Sequence, residues 1–413
     1  MKENKAVNIT IWSRTFICMM VCSMCMGLSQ FIVNPLMSTY ASFLGAGTTL
    51  VGLLTGLYFG VSVLLRPFSG PAIVFFNKKA VLIFSFVMGV IVNFCYASFN
   101  NIPIFVVARV LHGVQFSVMG SIAMTIAGDS LPKQKMGSGL GIYSIGGAIS
   151  TAIGPAIGIA LRNFGETRFG EAGGYKVMFY AAVFFSAIAL IPCFLVRTKV
   201  RTKEEIAGTG AWYKNIIAMP SVPSAVCNLF FAMAFSLFSA YMIPYAGEKK
   251  FAGISVFFTI YAMGLLISRP LAGKLTDRFG PVAVIYPAGV IFALSFVVIW
   301  FAKGIGWIYA GAALAALGFG GAYPAFQTIC MQSMPGVKRG VASNTNFFGV
   351  DLGQFLGPTI GGFIIAQFMH TGMAYSFMYL ICGTIPLIFA MLVLTFSKKY
   401  IKRRLAEATA MEG

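Results

Sequence analysis

Apolar residues gather into twelve stretches near 15–38, 49–70, 80–98, 103–126, 138–160, 177–196, 222–245, 253–273, 282–301, 306–330, 341–367 and 373–396. Each is long enough for a helix to cross a bilayer, which takes about 20 residues. No alternation of the β-barrel kind interrupts them, so the pattern predicts an all-α membrane protein of 12 transmembrane helices. The stretches fall into two sets of six. Shifted by 203 positions, residues 58–158 meet 261–361 without a gap. Tyr58 falls on Tyr261, Arg66-Pro67 on Arg269-Pro270, and Gly154-Pro155-x-x-Gly158 on Gly357-Pro358-x-x-Gly361. Two parallel copies in an apolar chain predict two six-helix halves related by a pseudo-twofold axis, with a solute site between them.

The polar stretches set the boundaries. Residues 1–196 form the first bundle, 197–218 a linker, 219–397 the second bundle, and 398–413 a basic tail. The linker contains Arg197, Lys199, Arg201, Lys203, Glu204 and Glu205. The first apolar stretch runs past 20 residues with no small-residue cleavage site after it, so it reads as a retained helix.

Composition agrees with lipid as the solvent: 58% of the 413 residues are hydrophobic and 10% charged, against roughly a quarter charged in a soluble domain. The net charge of +19 would suit a nucleic-acid partner, but its distribution does not. With the N-terminus inside, 21 of the 30 Lys and Arg fall in cytoplasmic loops and tails, six in the opposite loops and three within helices. That bias predicts both termini in the cytoplasm of a plasma-membrane protein, with anionic lipid rather than nucleic acid beside the basic tail. Eight cysteines lack disulfide-type spacing. Cys18, Cys22 and Cys25 share a helix face that could take a soft metal, yet it points away from Gln30 and Asn34 and suits packing or lipid contact. No metal site, cofactor, ATP-binding loop or catalytic constellation is expected.

Three motifs resemble the major facilitator superfamily along nearly the whole chain. Gly273-Lys274-Leu275-Thr276-Asp277-Arg278-Phe279-Gly280 matches its G-x-L-x-D-R-x-G loop, a conformational latch in that family. Asp277 is expected near the start of span 5 at Gly137, where the helix dipole favours an anion. The first copy has Val74 and Phe75 in place of Asp277 and Arg278, so one latch is expected to be weak. Arg109-Val110-Leu111-His112-Gly113 resembles the R-x-x-x-G motif, with His112 where Gln is common. The third motif, in span 5, resembles that of the drug:proton antiporter branch, with Gly154, Pro155 and Gly158, repeated in span 11 as Gly357, Pro358 and Gly361. These glycine rows predict close helix packing and surfaces on which helices rock. The resemblance implies a proton-coupled transporter working as a monomer on a small-molecule substrate.

Of the eleven Asp and Glu, Asp351 alone lies mid-membrane. A charge there costs at least about 2.5 kcal/mol, so Asp351 is expected to carry a proton, bind substrate or pair with Arg109 or a backbone group. Gln354 and Asn344 share its helix face. Its repeat mate is Ala148, which makes the acid a feature of the second copy alone. Arg109, His112 and Gln354 join it as candidates for proton coupling or substrate binding. Gln30, Asn34, Tyr58, Tyr241, Tyr261, Tyr323, Gln327 and Asn344 are expected to line the cavity. Arg66 and Arg269, near the inner ends of spans 2 and 8, are expected to anchor at the membrane interface. Together these features predict proton-coupled export of a small amphiphilic compound, with uptake of an organic anion or metabolite as the alternative.

Overall fold

The computed structural model describes residues 10–46, 48–198 and 202–411. The linker positions Lys199 and Arg201 lie outside them. Eleven described segments are long and apolar enough to span a membrane. One of these, Lys133–Leu195, holds two crossings. It reverses at Gly170 (φ 72°, ψ 178°), in a left-handed region that glycine enters without a Cβ clash. The arms beyond the turn touch through glycine, since a Cβ on Gly174 would sit 2.6 Å from the Arg162 carbonyl oxygen.

Twelve membrane-spanning helices result among the described residues. The first half contains α1 (Arg14–Val33, prolonged by Met37–Phe43), α2 (Thr48–Phe75), α3 (Lys78–Ser98), α4 (Ile102–Asp129), α5 (136–169) and α6 (171–195). The second contains α7 (Val222–Glu248), α8 (Ser255–Phe279), α9 (Pro281–Trp300), α10 (Ile305–Gln332), α11 (Arg339–Phe368) and α12 (374–411). Polar side chains cap the helices where loops meet them. Ser13 accepts from the Phe16 amide, and Asn77 accepts from those of Lys79 and Ala80. These bonds satisfy amide donors that a helix start leaves open.

The repeat is visible in the packing. α1 lies on α5 as α7 lies on α11, and α2 on α4 as α8 on α10. The halves meet through α2 against α11 and α5 against α8. Lipid supplies no hydrophobic drive for helix association, so close backbone approach carries these contacts. A Cβ on Gly158 would lie 2.1 Å from the Ile32 carbonyl oxygen, and one on Gly353 2.2 Å from that of Leu229. The glycine rows of α5 and α11 therefore pack inside each half. Contact between halves uses other glycines, Gly137 and Gly141 against Gly273 and the Arg269 carbonyl. The expected rocking surface thus involves the first turns of α5 and α11, where Gly340 approaches Ile73, rather than the whole glycine rows.

Two boundaries also differ from the apolar pattern. Residues 398–411 continue α12 rather than forming a separate tail. Strong helix formers fill this stretch, Arg403 and Arg404 pair with Glu407 at 3.0 and 2.9 Å, and Ile401 is buried. The linker contains a short helix, Lys203–Ala207, closed by a reciprocal bond pair between Thr202 and Glu205.

Packing without slack makes the glycine rows sensitive. Gly357→Val would drive side-chain atoms into Ser236 Oγ and the Met233 carbonyl, 2.1 and 2.4 Å from the Cβ position. It should destabilise the fold by about 1–3 kcal/mol, read as a lowered unfolding midpoint in detergent. Gly60→Ala, with nothing within 4 Å, should leave the midpoint nearly unchanged.

Candidate functional site between the halves

The one mid-membrane acid sits at the contact between halves. Asp351 Oδ2 accepts from Arg66 Nε and from Ser62 Oγ, both at 2.9 Å, and Arg66 Nη2 stands 2.8 Å away. Both charged side chains are 2% exposed or less. Arg66 also donates from Nη1 to the Ser117 carbonyl and Ser121 Oγ at 2.8 Å each. Asn344 ties the same corner together, donating to the Arg66 carbonyl at 2.6 Å and accepting from Ser121 at 3.2 Å. The pair thus joins α2 of one half to α11 of the other, with α4 behind it. Gln354, one turn along α11, is half-buried and takes no part in these bonds.

This arrangement corrects two expectations. The partner of Asp351 is Arg66, not Arg109 or a backbone group. Arg66 is not an interface anchor, because α2 runs on to Phe75 rather than ending near 70. Nine residues at about 1.5 Å each put Arg66 about 14 Å inside the helix end. Arg269 is displaced likewise, as α8 continues to Phe279. It is buried, faces α5 and donates to the Ser144 carbonyl.

The remaining candidates separate into groups. In the first half Gln30 donates to Tyr58 Oη at 3.3 Å, and the Tyr58 ring lies 4.7 Å from that of His112. His112 Nδ1 is 3.4 Å from Tyr96 Oη. Arg109 is 1% exposed among Phe105, Tyr58 and Tyr96, its guanidinium carbon 5.5–6.0 Å from their ring centres, and its Nε and Nη1 have no acceptor. Asn34 is half-buried in the turn after α1. In the second half Tyr323 packs on Arg269 at 5.6 Å, while Tyr261 Oη and Gln327 Oε1 are buried without partners. Tyr241 instead donates to the Pro358 carbonyl at 2.6 Å, inside the α7–α11 contact. Cys18, Cys22 and Cys25 are buried; Cys22 Sγ stands 3.5 Å from Cys193 Sγ. Among the described residues no group of three potential metal ligands forms.

The two latch loops differ in chemistry. Asp277 spans the start of α5, accepting from the Gly137 and Ser138 amides at 2.7 and 2.9 Å and from the Ser138 hydroxyl. Lys274 and Arg278 are exposed, and Gly280 turns the chain at φ 84°. On the other side Val74 is buried against Val341, Ala342 and Ala218. A carboxylate reaches the start of α11 there by another route. Asp129, at the end of α4, bonds Lys78 of its own half and Arg339 across the gap at 3.5 Å. Sequence reasoning missed Asp129, Ser62 and Arg66. The signal available was Arg66 aligning with Arg269 while only one of them could face an acid.

Comparison with known proteins agrees with this architecture. The family model described as Major Facilitator Superfamily matches residues 19–252 and 224–410. The staphylopine export protein of Staphylococcus aureus is 23% identical over 89% of this chain and 92% of its own length. The multidrug resistance protein MdtG of Enterobacter lignolyticus is 26% identical over 86% and 87%. Among solved structures, the transporter FucP in the outward conformation superposes with a TM-score of 0.74 at 14% identity, covering 92% of this chain and 98% of that one. The human organic anion transporter MFSD10 gives 0.70 at 12% identity, with the same coverage. The chain therefore belongs to the major facilitator superfamily, as a multi-pass membrane transporter of twelve helices and not an enzyme.

Proposed function

We propose that this transporter is a monomer of the plasma membrane, with both termini cytoplasmic, that exports a small amphiphilic compound in exchange for protons. The observation that carries the reading is the buried Arg66–Asp351 pair, which clamps the two halves together on the side of the latch loops. The bundles 1–196 and 219–397 move about the linker 197–218. A proton arriving from outside neutralises Asp351, and Arg66 and Ser62 lose their anionic acceptor. Holding the halves closed then loses the electrostatic gain of the deepest contact, and the latch side opens to the cytoplasm. Solute binds between the halves, Asp351 releases its proton inward, and the pair re-forms behind the solute. One proton enters as one solute leaves. The functions for which the relatives are named, multidrug resistance and staphylopine export, favour this direction. Arg109, a buried cation with two unaccepted N–H groups, favours a second reading, proton-linked uptake of an organic anion.

Two measurements follow from the clamp. In inside-out vesicles acidified inside, wild type should accumulate compounds drawn from a growth-selected panel, and Asp351→Asn should lose that gradient-driven accumulation while still exchanging solute down its own gradient. Full gradient-driven accumulation by the variant would remove Asp351 from coupling, and solute leaving with the protons would select the uptake reading. Removing one partner of a buried pair costs about 3–5 kcal/mol, because the other charge is stranded. Arg66→Met should destabilise the fold by that amount in detergent unfolding, and Arg66→Met with Asp351→Leu by distinctly less. Strictly additive effects would show that the two charges do not hold each other.

A further inference from the structure

The repeat makes Arg66 and Arg269 equivalent, yet only one of them has a counter-ion. Arg66 lies in the α2–α11 contact and meets Asp351. Arg269 lies in the α8–α5 contact, where the mate of Asp351 is Ala148. Small residues line that side of α5: Ala148 is buried, and even a Cβ added to Gly147 would stay 3.9 Å from Arg269 Nη1. Arg269 is 8% exposed and forms no ion pair among the described residues. Its charge rests on the neutral Ser144 carbonyl, and its Nε has no acceptor. Guanidinium stays protonated in proteins, and leaving a charge unpaired away from water is costly. Beside it, Tyr261 Oη is buried and unpartnered, and Tyr323 packs on the guanidinium. Tyr323 also lies within electrostatic reach of Asp351 and Arg66.

We propose that Arg269 holds the anionic group of the solute, with Tyr261 as a second donor, so that the transported compound is an amphiphilic anion. The carboxylate, phosphate or sulfonate takes the place that Asp351 takes in the other half. Tyr323 and the aromatic wall of α7 and α8, including Phe235 stacked on Tyr261 at 5.9 Å, receive the apolar body. The inference rests on reading the space between the halves as the solute site, and it makes no use of proton coupling.

Binding to the detergent-purified transporter tests it, with 1-naphthoate and 1-naphthyl phosphate as anionic probes and 1-naphthamide as the neutral match. Affinities come from titrated shifts of the unfolding midpoint. Wild type should bind at least one anion about tenfold or more tighter than the amide, the size of a charge-assisted hydrogen bond. Arg269→Gln should erase that preference, and Ala148→Asp should erase it by supplying an internal carboxylate, while Lys303→Gln on the exposed α9–α10 loop retains it. The Ala148→Asp chain should also lose stability when Arg269→Gln is added. Anion preference retained in Arg269→Gln, or no preference for either anion in wild type, overturns the proposal. No proton gradient is present in this assay, so these failures are separate from a failure of proton coupling.

Discussion

A charge placed where there is no water must find its partner inside the protein, and here that constraint joins the two halves. Asp351 and Arg66 come from different bundles, so neither bundle satisfies its own charge. Ser62, Ser117, Ser121 and Asn344 complete the bonding around them and extend the contact over α2, α4 and α11. Elsewhere the bundles are held internally by glycine contacts that need nothing from the other half. Such a chain has two internally packed bodies and an interface whose deepest contact is an ion pair. The proposed proton-driven motion requires that division.

The large-scale architecture was readable because lipid imposes simple rules. Span length, the 203-residue repeat and the distribution of Lys and Arg gave twelve helices in two halves. Asp351 stood out because it was the one acid beyond the reach of solvent. Its partner was not legible, since depth was judged from where the apolar run stops, and α2 and α8 outrun theirs. Phe75 and Phe279 are still helical, so arginines that looked superficial are deep. Which face of a glycine-rich helix meets its own half is a matter of three-dimensional packing, which letter spacing does not encode. The same holds for Asp129, an ordinary helix-end acid until α11 brings Arg339 beside it.

The pseudo-symmetry is most informative where it distributes the acids unequally. Each contact between halves has an arginine at the same depth. In the α2–α11 contact the acid is deep, at Asp351, and the loop position is the apolar Val74. In the α5–α8 contact the acid is at the membrane face, at Asp277, and the deep position is Ala148. An acid bound to two amides at a helix start can close a gate, but it lies beyond the reach of a solute at the midplane. A deep acid paired to arginine can feel both a proton and the charge of whatever binds nearby. Under the proposed exchange the two gates divide the labour, one serving as a fixed latch and the other sensing the site. The two copies differ in where the carboxylate stands, and the proposed exchange needs the deep one, because only there can closure depend on what the site contains.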